Sequence, residues 1–167
     1  MFVVVGLCGC RNLPDYPVPD QRPFFDNFET RPSSLVKMSD ADASLHFFRD
    51  IVDGPPDSWR WTAQRPAVKV KLGFRDQAIY VIDFTIVGAT FNDTGPVTVA
   101  FTVDDRVLDR VRYDTPGDKH FEKPVPQDWL EGRATAIVGA EVDKVWVANT
   151  DGARLGFILL RIGLREK

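Results

Sequence analysis

Alternation of apolar and polar residues marks the middle of the chain. In AVKVKLGF, residues 67–74, the large apolar side chains share one face of an extended chain, and Lys69 and Lys71 occupy the other. This period of two predicts a half-buried strand. AIYVIDFTIVG, residues 78–88, is almost continuously apolar, which indicates a central strand covered on both faces. PVTVAFTVDDRVLDRVRY, residues 96–113, predicts two strands joined by a polar hairpin turn at Asp104-Asp105.

The rest of the chain continues this pattern of short strands and turns. The stretch VDGPPDSW, residues 52–59, predicts a turn, and NDTG at Asn92 to Gly95 predicts another hairpin turn. A single helical turn is expected only at PQDWLEG, residues 126–132. Nine or so strands at intervals of about 8 to 12 residues favour an all-β sandwich or barrel. The remaining predicted strands are FFDNFE, SLVKMSDADASLHFF (as short pieces), KHFEKPVP, RATAIVGAEV, KVWVAN and LGFILLRIGL.

The first ten residues have a different character. Phe2 to Gly9 form an apolar run that ends at Cys10, and such a run is too short for a transmembrane helix, which needs about 20 residues. Leu7-Cys8-Gly9-Cys10 resembles a bacterial lipobox, which implies lipidation of Cys10 after removal of a signal segment. The alternative is a buried edge strand with two incidental cysteines.

The segment after Cys10 is rich in proline and polar residues, which favours an extended tether over residues 11–23. We therefore expect a signal remnant at 1–10, this tether, and one β-sandwich domain at 24–167. Arg11 is not the aspartate that retains lipoproteins at the inner membrane of enteric bacteria. The resemblance thus implies a lipid anchor in the cell envelope, at the outer membrane.

Composition narrows the range of partners. The chain has 21 basic and 24 acidic side chains, a net charge of −3, and its basic residues are scattered. Nucleic acid is therefore not an expected partner. Four tryptophans and twelve phenylalanines suit either a thick sandwich core or exposed stacking platforms.

Two strings carry a more specific resemblance. They are WRWT at Trp59 to Thr62, just before an alternating strand, and DGARLGF at Asp151 to Phe157, just before the last strand. Together with the strand pattern they resemble the galactose-binding-like jelly roll, an antiparallel two-sheet sandwich, found as accessory modules beside bacterial glycan enzymes. The resemblance implies a glycan partner, a polysaccharide or another envelope glycan.

The residues expected to bind this ligand combine flat aromatics with forked polar groups, because sugars present both apolar C–H faces and hydroxyls. For the tryptophans of WRWT the competing interpretation is core packing, since alternation puts both on one face. For the aspartate and arginine of DGARLGF it is a mutual surface pair. The candidate ligand-binding residues are Trp59, Arg60, Trp61, Trp129, Asp151 and Arg154.

Catalytic patterns are weaker. All five serines lie at or before Ser58, without a Gly-x-Ser-x-Gly motif, and His46 and His120 read as ordinary strand residues. No cofactor and no metal-ligating motif is expected; a structural calcium ion, common in the resembled class, is left without assigned ligands. Two functions stay open: a non-catalytic, membrane-tethered glycan-binding module, or a small glycan-acting hydrolase with paired carboxylates.

Overall fold

A computed structural model describes residues 34–52, 58–73 and 77–167 of the chain. Strands dominate this part of the protein, every strand pair is antiparallel, and the predicted class, an all-β sandwich, is confirmed. The strands are β1 (Leu35–Lys37), β2 (Phe47–Ile51), β3 (Arg60–Lys71), β4 (Ala78–Ile86), β5 (Val97–Val103), β6 (Arg106–Tyr113), β7 (Gly117–Pro124), β8 (Thr135–Val142), β9 (Trp146–Val147), β10 (Arg154–Leu155) and β11 (Ile158–Glu166).

Two layers of sheet face each other. The first layer has the order β1-β11-β4-β7, and the second has the order β2-β3-β8-β5-β6. Strand β3 joins them, because its first residues pair with β11 while its second half pairs with β8. β9 and β10 form a separate short hairpin. The C-terminal strand β11 therefore lies inside the first layer, between β1 and β4.

The core lies between the layers and is rich in aromatic rings. Phe101 of β5 stacks on Phe121 of β7 with ring centres 3.7 Å apart, and Tyr80 of β4 meets both rings edge-on. The Tyr80 hydroxyl is buried and donates a hydrogen bond to the Gly139 carbonyl in the other layer. This burial raises the pKa of Tyr80. Most aromatic side chains of the described residues therefore lie in the core or pack against it.

The strand predictions in the middle of the chain are confirmed. The first five residues of β4 are all buried, as expected for a covered central strand, and β4 lies between β11 and β7. Asp104 and Asp105 join β5 to β6 with φ angles of 48° and 62°, which are typical of a type I′ hairpin turn. The local sequence pattern therefore specifies this hairpin.

The prediction for NDTG is wrong. Asn92 to Thr94 form the end of a short helix, α1 (Gly88–Thr94), and Gly95 follows it with a φ of 68°. A glycine with positive φ commonly ends a helix, so the same residues satisfy both turn and helix-end patterns. The expected turn in PQDWLEG is present as a 3₁₀ turn at Gln127–Trp129.

His46 also departs from its strand interpretation, because it lies in a second 3₁₀ turn, Ala43–His46. Its ring is buried, and Nδ1 lies 3.0 Å from the Lys69 carbonyl oxygen. Residue His46 thus connects this turn to β3. None of the helices among the described residues is long and apolar enough to cross a membrane.

Several predictions concern residues outside the described ranges. These are the lipobox with Cys10, the tether, the predicted strand FFDNFE and most of the turn at 52–59. They stay predictions.

Candidate functional site

The two strings singled out in the sequence meet where β3 joins β11. The Thr62 hydroxyl donates to the Phe157 carbonyl, and the Phe157 amide donates back to the same hydroxyl. The Gly156 amide also donates to the Thr62 carbonyl, so the backbones lie very close. A Cβ on Gly156 would lie 2.5 Å from the Ala63 carbonyl oxygen. Gly156, the second glycine of DGARLGF, therefore permits the close contact between the two strings.

The residues of WRWT point to opposite sides of the sheet. Arg60 and Thr62 are buried on the core side, and Arg60 donates a hydrogen bond to the Trp59 carbonyl. Trp61 is half-buried on the outer side, and Trp59 is 39% exposed. Neither tryptophan is among the buried core residues. Arg60 lies on the core face of β3, opposite Trp61, so the two side chains do not share a surface.

Strand register extends the Trp61 position into a row across four strands. Trp61 pairs with Ile158 of β11, Ile158 pairs with Thr85 of β4, and Thr85 pairs with Asp118 of β7. Directly paired residues share a face of a sheet, and neighbouring strands lie about 4.8 Å apart, so the row spans about 14 Å. The Thr85 hydroxyl donates to Asp118 at 2.6 Å. We call these four residues the Trp61 row.

A second row of polar side chains runs beside it. Arg161, Asp83 and His120 occupy paired positions on β11, β4 and β7. The two oxygens of Asp83 accept separate hydrogen bonds at 2.5 Å, one from His120 Nδ1 and one from Arg161 Nε. A carboxylate only accepts, so Nδ1 of His120 carries a proton. We call these three residues the polar row.

Further along the same face, Glu122 of β7 accepts a hydrogen bond from Arg165 of β11 at 3.2 Å. This bond, with the nearby Arg165 and His120 charges, lowers the pKa of Glu122. Nε2 of His120 lies 3.5 Å from a Glu122 oxygen. The polar row is therefore held in one arrangement by residues on three strands.

A shallow depression of about 360 Å³ lies on this face beside Asp83 and Asp118. Asp83, Asp118 and His120 line it together with Lys119 and Leu160. The register of β11 against β4 shifts at Leu160, and its side chain is 36% exposed. A bulge of this kind commonly redirects a side chain beside a functional surface. The depression thus combines an apolar wall with hydrogen-bonding groups.

The other candidates from the sequence lie elsewhere. Asp151 and Arg154 are both exposed on the β9-β10 hairpin, where the Asp151 carboxylate accepts the Ala153 amide and Arg154 pairs with Val147. Since Gly156 follows directly and bonds to Thr62, the hairpin lies at the same end of the sandwich as Trp61.

Trp129 lies at the opposite end. It is half-buried against the core in the 3₁₀ turn after β7, and the Arg106 guanidinium lies 5.7 Å from its ring centre. The structure therefore does not bring Trp129 together with Trp59 and Trp61. Trp146 is also half-buried, and its indole donates to Asp93 of α1.

The carboxylates considered for catalysis have structural partners. Asp104 binds Arg133 at 2.6 Å and also accepts the Ile137 amide, while Asp105 binds Arg49 at 2.6 Å. The hydrogen bond from Arg49 is the main cause that lowers the pKa of Asp105. Both residues therefore fix a turn. Within the described part of the chain, no group of three or more His, Cys, Asp or Glu side chains is placed to hold a metal ion.

Sequence reasoning missed the polar row and treated His120 as an ordinary strand residue. A signal was present, because Asp83 and Thr85 interrupt an apolar strand at spacing two, and Asp118, His120 and Glu122 alternate in β7. These positions become one surface only through the pairing of strands that are distant in sequence.

Comparisons with known proteins identify no matching family model and no matching curated protein. Similar solved structures include a 4-O-methyl-α-glucuronidase of family GH115 with specificity for decorated arabinogalactans, at 11% identity and a TM-score of 0.46. That match covers 94% of this chain and 19% of the glucuronidase, so the chain spans about a fifth of its length. Another is a family 35 carbohydrate binding module from Clostridium thermocellum, at 9% identity and a TM-score of 0.43, covering 80% of this chain and 97% of the module.

Proposed function

We propose that this protein is a non-catalytic β-sandwich module that binds glycan on the outer face of its first layer. The observation that carries the proposal is the Trp61 row, in which an outward aromatic ring lies in register with hydroxyl and carboxylate groups. The exposed Trp59 adds a second ring close in sequence. Trp59 is exposed and Trp61 is half-buried, so neither ring belongs to the buried core, and tryptophan outside the core is enriched at binding surfaces.

The chemistry of this face suits a sugar. An aromatic ring packs against the apolar C–H face of a pyranose, and the hydroxyls around the ring need hydrogen-bond partners of both kinds. Thr85 supplies a hydroxyl, Asp83 and Asp118 supply acceptors, and Arg161 and His120 supply donors. Because these groups already hold one another in place, little side-chain freedom is lost on binding.

The same contacts favour binding over catalysis. A glycosidase acid is kept protonated by an apolar pocket, close to a second carboxylate. Here the Asp83 carboxylate accepts hydrogen bonds from the Arg161 guanidinium and the His120 imidazole, and the depression beside it is open to solvent. The hydrolase alternative therefore gains no support from this face.

The test is retention of the full chain on immobilised polysaccharides, followed by calorimetry with those that retain it. Trp61→Ala and Trp59→Ala should each weaken binding at least about tenfold, which corresponds to about 1.4 kcal/mol. The matched control is Leu45→Ala, because Leu45 is 71% exposed and lies in the 3₁₀ turn before β2. Equal loss in the control, or no retention on bacterial and plant polysaccharides, contradicts the proposal.

We also propose that Cys10 carries a lipid that tethers the module to the cell envelope, at the outer membrane. The support is the string Leu7-Cys8-Gly9-Cys10 and the proline-rich segment after it. Two or more acyl chains bind a membrane stably, at about 0.8 kcal/mol per buried CH₂. Full-length protein made in a bacterium should fractionate with membranes, and Cys10→Ser should release it or leave the signal uncleaved. Recovery of mature protein with an unmodified Cys10 thiol would contradict this.

A further inference from the structure

The Trp61 row runs across the strands, from β3 to β7. At one end Asp118 lies on β7, which pairs with β4 alone among the strands that the structure describes. At the other end the Val52 amide donates to the Trp61 carbonyl, and Val52 is 46% exposed. Strand β7 is thus an edge of the described sheet, and a bound chain can extend past Asp118 there.

The spacing of the row matches a repeating ligand. Successive strands present a side chain about every 4.8 Å, which is close to the length that one pyranose adds to a linear glycan. The groups change in order along the row, from the aromatic ring of Trp61, through aliphatic Ile158, to the hydroxyl of Thr85 and the carboxylate of Asp118. A single sugar would reach only part of this series.

The charges on the face define the ligand further. Asp83, Asp118 and Glu122 contribute three carboxylates, and the guanidinium groups of Arg161 and Arg165 are already paired with Asp83 and Glu122. The other basic groups at the depression are also engaged: His120 bonds to Asp83, and the Lys119 ammonium donates to the Pro116 carbonyl. The Asp118 carboxylate accepts only a neutral donor, the Thr85 hydroxyl, among the bonds described for it. A polyanionic glycan would bring its own carboxylates against Asp118, which costs binding energy through like-charge contact. The face therefore favours an uncharged chain.

We infer that the outer face binds an internal stretch of a neutral linear polysaccharide, laid along the Trp61 row across β3, β11, β4 and β7, and does not recognise a chain end. This inference rests on the proposed function and names the class of ligand for the same face. The binding stretch covers about three to four sugar units, because the four strands of the row span about 14 Å.

The experiment is calorimetry of the full chain with neutral xylo-, manno- and cello-oligosaccharides, from disaccharide to hexasaccharide. For the series that binds, affinity should rise at least about tenfold from disaccharide to tetrasaccharide and then level off, because longer chains extend beyond the row. Reduction of the terminal sugar to its alditol in the hexasaccharide should leave affinity unchanged.

A pair of variants assigns the length dependence to the row. Asp118→Ala should lower affinity for the tetrasaccharide by several-fold more than for the disaccharide, which can bind at the Trp61 end. The matched control is Asp128→Ala, because Asp128 is exposed near Trp129 at the opposite end of β7. It should change neither affinity.

The outcomes separate the two claims. Tight binding of a disaccharide with no gain in longer chains, loss of binding on alditol formation, or preference for an acidic polysaccharide such as polygalacturonate would overturn the inference while glycan binding stands. Absence of binding to every oligosaccharide and polysaccharide would overturn the proposed function itself.

Discussion

The tryptophans of this protein differ in how far they are buried. Trp59 is 39% exposed, whereas Trp129 is half-buried against the core and lies beneath the Arg106 guanidinium. Local sequence does not distinguish them, because each lies in a predicted turn, residues 52–59 for Trp59 and 126–132 for Trp129. The difference arises because the 3₁₀ turn folds Trp129 back onto the sandwich edge, a tertiary contact without a local signal.

Replacement of these two residues by alanine should therefore have opposite effects. Trp129→Ala should lower the free energy of unfolding by up to about 3 kcal/mol, the lower bound for a fully buried tryptophan, and leave glycan affinity unchanged. Trp59→Ala should weaken binding and change stability by less than about 0.5 kcal/mol. Urea unfolding followed by fluorescence measures the first quantity, and calorimetry the second. Equal stability loss in both variants would show that Trp59 is a packing residue.

At the scale of elements, most of the fold could be predicted and most of the site could not. Alternation and turn chemistry predicted the second half of β3, the strands β4 to β8 and the Asp104-Asp105 hairpin, because those signals are local. The first half of β3, from Arg60, continues the strand where a short turn was expected after WRWT. Helix α1 was missed because its seven residues end in a turn-like NDTG. The polar row depends on the pairing of β4 with both β7 and β11, and no local pattern encodes that order.

The junction of β3 with β11 depends on Gly156. A Cβ there would lie 2.5 Å from the Ala63 carbonyl oxygen, so Gly156→Ala must push the β10-β11 segment away from β3. We expect a loss of about 1–3 kcal/mol in stability, as for other overpacked sites, and weaker glycan binding because Trp61 shifts relative to Ile158. Gly152→Ala is the comparison at a position without crowding, because a Cβ added there has no atom within 4 Å. Its φ of 72° adds backbone strain of its own. Unchanged affinity in Gly156→Ala would separate this junction from the site.

At the scale of the whole molecule, ion pairs connect separate strands and turns. The bond from Lys123 lowers the pKa of Asp109 and joins β6 to β7 across the layers, and the bond from Arg49 lowers the pKa of Asp105. Arg165 acts in the same way on Glu122. A lowered pKa means that the folded state binds the proton less readily than the unfolded state does.

The protein should therefore lose stability in acid. The contribution of these carboxylates is present above their ordinary pKa values, near 4, and declines as the pH falls through their lower folded values. The melting temperature should be nearly constant between about pH 5 and pH 8 and fall below about pH 4. Asp109→Asn should reduce this fall slightly, and Asp128→Asn should not. A melting temperature that stays constant to about pH 2 would contradict the ion-pair account.

The indole N–H resonances of the four tryptophans provide the most direct test of the outer face as the glycan site. In a proton–nitrogen correlation spectrum of the full chain, single Trp→Phe variants assign the four signals. Titration with the neutral tetrasaccharide of highest affinity should shift the signals of Trp59 and Trp61 and leave those of Trp129 and Trp146 in place. Shifts confined to Trp129 or Trp146 at saturating tetrasaccharide would contradict the account.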